Sequence, residues 1–164
     1  MITRFYDAKA NKSRILNYVK KFRNIWNKRN ILIIEGRLTR LGIGNDLFDN
    51  AKSVKRIICP SKNAFNVYEK IIEFVNNLKL DINTLILISL GQTATVLAYD
   101  LINLGNQIID FGHFDIEYEY FLRNSSGKIR IPYKYVSEVK GGTVNITSID
   151  KKNIYYKQII SKIF

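Results

Sequence analysis

The single histidine of the chain, His113, lies in IIDFGHFDIEYEYF, residues 108–121, among four acids: Asp110, Asp115, Glu117 and Glu119. A carboxylate beside an imidazole can take a proton from a hydroxyl as a general base, or hold a divalent cation that neutralises a diphosphate. Read as a strand, the period of two puts His113, Asp115, Glu117 and Glu119 on one face. Read as a helix that starts at Asp115, that residue is the N-cap and Glu117 sits in the first turn, near the positive end of the dipole. The helix is preferred, because the run continues through Phe121 and Leu122. Asp115 could then serve only as a cap and His113 only as a hydrogen-bonding partner. Neither capping nor core packing calls for a carboxylate at Glu117, which makes it the strongest candidate for chemistry.

Two glycine-containing stretches add anion-binding potential. In Ser89-Leu90-Gly91-Gln92-Thr93-Ala94-Thr95, Gly91 permits a tight turn, and the N–H groups of the following helix start suit a phosphate. A plain strand-to-helix turn needs the same small residue, so only the hydroxyls of Thr93 and Thr95 exceed it. The other stretch begins at Glu35-Gly36 and runs through Thr39-Arg40-Leu41-Gly42-Ile43-Gly44-Asn45-Asp46. Its Gly42-x-Gly44 is no dinucleotide fingerprint, because Leu47 stands where a third small residue is required and no acid follows about 20 positions on. A P-loop is also absent. Arg40, flanked by glycines, could grip a diphosphate in two places, although a loop arginine is more often simply solvated. Cys59 before Pro60 reads as a small buried hydrophobe rather than a nucleophile.

These residues need a frame that gathers them. SRILNYVKKFRNIWNKR carries apolar residues at helical spacing opposite basic ones, with Ser13 as the expected cap. ILIIE, KRIICP, LILISL and QIIDFGH are short apolar runs of the kind covered on both faces of a sheet. Between them lie a helix from Ser61 to about Leu78 and the helix of GQTATVLAYDLINLG, closed by Gly105. Helices alternating with such strands mean an α/β fold, a mainly parallel sheet flanked by helices, arranged as one domain over residues 1–164. PYKYVSEV is either a strand or a helical turn, and NIYYKQIISKIF reads as a closing helix. In a parallel sheet ligands bind beyond the carboxyl ends of the strands, and every unusual loop above follows such an end.

With 164 residues and 46% hydrophobic composition the chain can bury a substantial core. It contains no apolar run of about 18 residues and no visible secretory signal. One cysteine allows no internal disulfide, which fits a reducing cytoplasm. The net charge of +12 is concentrated at the ends: residues 1–30 hold nine Lys or Arg against Asp7, and residues 151–164 hold four Lys and no acid. Such ends could meet anionic lipid at the inner membrane face, a phosphorylated substrate or, least favoured, nucleic acid. Charge alone selects none of them.

Residues 35–65, EGRLTRLGIGNDLFDNAKSVKRIICPSKNAF, together with residues 88–121, ISLGQTATVLAYDLINLGNQIIDFGHFDIEYEYF, resemble the GT-D-type glycosyltransferases of bacterial surface polysaccharide and glycoprotein glycan assembly. The resemblance spans roughly residues 15–164. It implies a Rossmann-like three-layer fold, a UDP-sugar donor, a glycan or glycoprotein acceptor and a divalent cation, Mn or Mg. It also gives His113, Asp115 and Glu117 the catalytic segment. The donor cleft falls to Glu35, Thr39, Arg40, Gly42, Gly44 and Asn45 in one loop, and to Gly91, Thr93, Ala94 and Thr95 in the other. The family's upstream D-x-E segment does not occur in these residues; Asp115-Ile116-Glu117 spells it by letter only. The chain therefore matches the C-terminal part of the family unit. Two functional classes stay open. One is a nucleotide-sugar-dependent transferase; the other is a non-catalytic binding or assembly module, such as one half of a split enzyme paired with a chain that supplies the missing segment.

Overall fold

The computed structural model of the protein describes residues 4–6 and 11–164. Helix α1 spans Lys12–Arg23 and ends in a 3-10 turn over Asn24–Trp26. Its cap is Asn11, whose side chain accepts the Ser13 N–H, so the expected cap residue lies inside the helix it was meant to start. Strand β1 is Asn30–Gly36, β2 is Ser53–Cys59, β3 is Leu85–Ser89 and β4 is Ile108–Asp110. Each coincides with one of the predicted apolar runs.

Helix α2, Tyr68–Asn77, starts later than expected. Asn63 adopts a left-handed conformation, and a 3-10 turn over Ala64–Val67 intervenes. Helix α3, Gln92–Asp100, continues into a 3-10 turn that Gly105 terminates at φ 75°. Helix α4, Phe114–Leu122, begins one residue before Asp115, so His113 holds the N-cap position and its side chain makes no capping bond. The predicted closing helix is only half a helix. Asn153 caps α5, Ile154–Gln158, and the chain then extends as β5, Ile159–Lys162. The pairs Ile159/Ile160 and Ile163/Phe164 mimic helical spacing, but β2 offers an open edge, and satisfying it outweighs continuing the helix.

The sheet runs β4-β3-β1-β2-β5, and all of its pairings are parallel. On one face Leu32, Ile34, Ile57, Ile86 and Ile88 pack against α2 and α3. On the other, Ile31, Ile33 and Leu87 meet α1, α4 and the loop after β1, with Trp26 donating from Nε1 to the Leu47 carbonyl at 2.9 Å. Leu47, the residue that spoils the dinucleotide fingerprint, is fully buried there. Parallel pairing sends every carboxyl end to the same rim.

Candidate functional site

At the rim the two turns that matter are neighbours, because β3 pairs with β4. Gly91 takes φ 58°, a backbone conformation that side-chain-bearing residues seldom adopt, and leads directly into α3. Gln92 and Thr95 are exposed, whereas Thr93 and Ala94 are buried. Thr95 Oγ1 donates to Asp110 Oδ2 at 2.8 Å, and Ser89 Oγ donates to the Gly112 carbonyl at 3.3 Å. These bonds tie the glycine–threonine turn to the loop that carries His113.

The long loop after β1 does not stand open at the rim. It folds back over the sheet and is held from beneath. Glu35, wholly buried, accepts the Leu41 N–H at 2.7 Å through one oxygen and Arg56 Nη1 at 2.7 Å through the other. Arg56 also donates to the Leu41 carbonyl and to Gln158 Oε1. From the other side α4 presents Asp115 and Glu119, one turn apart on a single face. Asp115 Oδ1 accepts from Gly42 N at 3.0 Å and from Asn45 Nδ2 at 2.9 Å, and Glu119 Oε1 accepts from Asn45 Nδ2 at 2.8 Å. Lys134, with no exposed surface, sits 2.6 Å from Asp115 and 3.2 Å from Glu119. Gly42 and Gly44 have positive φ, and a Cβ on either would fall 2.3 Å from Phe48 or Tyr133. Thr39 lies over Gly36, its Oγ1 only 3.1 Å from where a Cβ would stand.

Glu117 leaves α4 in another direction. Its Oε2 accepts the Tyr6 N–H at 2.8 Å, and Oε1 lies 3.6 Å from Arg4 Nη1. Arg4 is held by both oxygens of Glu138, which also pairs with Lys128 at 3.2 Å. Burial raises the Glu117 carboxyl above its ordinary range, against the pull of the Tyr6 N–H and Arg4. Burial, with help from Arg4, lowers the His113 imidazole. The Arg4 hydrogen bond brings Glu138 down to about 2. The four acids around His113 are therefore divided: Asp110 accepts from Thr95 and from the Gly112 N–H, and the three on α4 divide again. Asp115 and Glu119 lock a loop, whereas buried Glu117 joins the Tyr6 N–H and the Arg4–Glu138 pair in a separate cluster.

The matching of this chain to known proteins rests on most of its length. A family model described as glycosyltransferase GT-D fold matches residues 1–139. The chain belongs to the GT-D-fold glycosyltransferases. It is 44% identical over 137 residues to a probable glycosyl transferase Gly of Streptococcus gordonii, covering 84% of this chain and 20% of that protein. It is 38% identical over 162 residues to the glycosyltransferase GlyD of Streptococcus pneumoniae, covering 99% of this chain and 19% of that one. A solved structure described as a new glycosyltransferase from Streptococcus sanguinis superposes with a TM-score of 0.89 at 39% identity, over 99% of this chain and 59% of the other. A second, of a conserved domain with a distinct glycosyltransferase fold, gives 0.88 at 38% identity and covers 57% of that chain. The chain thus spans about a fifth of the curated relatives and under three fifths of the solved ones.

Within this GT-D domain the described residues do not fit a divalent cation by themselves. They contain no group of three or more His, Cys, Asp or Glu side chains placed to hold one. The carboxylates nearest the rim are already matched: Glu35 by Arg56, Asp115 and Glu119 by Lys134, and Glu117 by Tyr6 N and Arg4. Sequence reasoning did not find Arg56, Lys134 or Glu138. Arg56 carried a signal, a cation directly before the apolar run Ile57-Ile58-Cys59 of β2, where burial demands a partner. Lys134 carried none, because its neighbours form no regular element.

Proposed function

We propose that this GT-D domain binds a nucleotide sugar, UDP-linked, across the carboxyl ends of β1, β3 and β4. It would transfer the sugar to a hydroxyl of a glycan or glycoprotein acceptor in surface polysaccharide assembly. The observation that carries the reading is the separation of Glu117 from the loop-locking acids: it meets the Tyr6 N–H and Arg4 instead of Asn45 or Lys134. A carboxyl raised by burial is the better base near neutrality, and it need only be ionised to accept the proton of an attacking hydroxyl. This reading gives Thr39 and the N–H groups at Gln92 and Thr93 to the sugar-bearing diphosphate, whose departure oriented dipoles there would stabilise. A divalent cation enters this reading only with ligands from chain beyond the described residues.

Glu117→Gln is the direct test. The amide oxygen can still accept the Tyr6 N–H, so the thermal midpoint should stay within a few degrees while transfer from UDP-sugars falls about 10²-fold or more. Undiminished turnover in that variant would remove Glu117 from the reaction. A second reading, a non-catalytic nucleotide-sugar-binding or assembly module, is favoured by one observation: Tyr6 and Arg4 already cover the Glu117 carboxylate. It expects UDP-sugar binding, measured by calorimetry, with no transfer by either form.

A further inference from the structure

Residues 4–6 form a short strap across the start of α4. Phe5 packs against Phe114, with ring centroids 4.8 Å apart, and against Tyr18 of α1 at 5.1 Å. Tyr6 donates its backbone N–H to Glu117 Oε2, and its hydroxyl donates to the Ser125 carbonyl. Arg4 lies 3.6 Å from Glu117 Oε1 and pairs with both oxygens of Glu138. The Arg4 and Glu138 side chains are 27% and 22% exposed, so water reaches the ion pair that fixes this end of the strap. Such a pair adds little net stability and can part readily. Beneath the strap one polar group is left over. Among the described residues three buried side-chain atoms lack a hydrogen-bond partner: Arg40 Nε, Asn50 Oδ1 and Tyr120 Oη. Arg40 and Asn50 are held through other atoms, by the Tyr133 and Thr147 carbonyls and by the Arg23 carbonyl. Tyr120 has only its one oxygen; the residue is 1% exposed and lies within electrostatic reach of Glu138, Glu117 and Arg4. A buried hydroxyl without a partner is costly, so its place beside the candidate base is explained by a polar group that it meets when the strap is displaced.

Resting on the transferase reading above, we propose that the strap holds the place of the acceptor: Tyr6 N–H and Arg4 occupy Glu117 where a sugar hydroxyl would bind. The arriving hydroxyl donates to Glu117 in place of the Tyr6 N–H and accepts from the Tyr120 phenol, which gives the orphaned group its partner. Glu138 is the positioning residue, since it is joined to Glu117 through Arg4 and keeps the strap shut from there. The strap must therefore move before Glu117 can take a proton from an acceptor.

Glu138→Gln on the 164-residue chain tests the strap, and Lys128→Gln, which removes the other partner of Glu138, is the control. Two rates are read: hydrogen exchange of the Tyr6 amide by NMR, and carbodiimide coupling of glycinamide to Glu117 by mass spectrometry. Both should quicken about tenfold in Glu138→Gln and stay near the parent's in Lys128→Gln. Parental rates in Glu138→Gln, or an equal rise in Lys128→Gln, overturn the strap. Hydrolysis of UDP-glucose, with water as the acceptor, should rise along with exchange. Turnover that stays level or falls while exchange quickens overturns the place-holding role. Tyr120→Phe should not lower the thermal midpoint; a loss of several degrees would mean that its hydroxyl is already bonded under the closed strap, against the proposal. Faster exchange in Glu138→Gln with no turnover in any form keeps the strap and rejects the transferase reading, which separates the two failures.

Discussion

Asp115 and Glu117 are two residues apart on the same helix and have opposite duties. Asp115 is spent on Gly42, Asn45 and Lys134, all inside the protein. Glu117 meets a single backbone N–H and a more distant guanidinium. Half a helical turn separates the two side chains, and that rotation decides which carboxylate is drawn into the Lys134 cluster. The upward shift of Glu117 gives a signed prediction. As a base it must be deprotonated, so kcat should rise with pH through a value above the usual carboxylate range and then level off. A pH–rate profile flat from pH 4 to 8 would contradict this. For stability the sign is reversed: a raised carboxyl favours the folded state below its unfolded value, and that contribution is lost as pH rises through the folded one. Glu117→Gln should therefore cost little stability at neutral pH.

At the scale of elements, the loop after β1 is the part whose order needs most explanation. It has little regular structure, and it is fixed by two buried charge clusters, Glu35–Arg56 below and Asp115–Lys134–Glu119 beside it. Lys134→Met would leave two carboxylates buried without their cation, at a cost of about 3–5 kcal/mol. Replacing all three, with Asp115→Asn and Glu119→Gln added, should recover most of that loss. Denaturant unfolding measures both variants. A single Lys134→Met that unfolds like the parent would mean that the cluster does not lock the loop. Burial also explains why a helix α4 with acids in its first turn needs no side-chain cap: those acids are engaged with other elements.

Taken whole, the molecule is a parallel sheet with one crowded rim and a strongly positive outer surface. The side of α1 that faces away from the sheet exposes Lys12, Arg14, Lys20 and Lys21, and no helix among the described residues is long and apolar enough to cross a membrane. We propose that this face holds the domain peripherally against anionic lipid, on the cytoplasmic side of a membrane carrying the acceptor. Basic residues near such a surface contribute about 1 kcal/mol each. Sedimentation with vesicles should show binding only when anionic lipid is included, weakening as salt rises. Equal sedimentation with neutral vesicles would refute the electrostatic part.

The apolar runs determined the strands on their own, because a run such as ILII between polar stretches is stable only where both faces are covered. Alternation with helices then required parallel pairing, and with it the gathering of the glycine, threonine and histidine loops at one rim. The amino-acid order could not say which way each side chain at that rim points. Residues 159–164 fit a helix or a strand equally by spacing, and the free edge of β2 settled it. Lys134 and Arg56 come from positions 19 and 21 residues away from the carboxylates they neutralise. Only the assembled layers bring them within 3 Å, and the Lys134 pairing turned two of the four acids around His113 into loop anchors and left Glu117 apart.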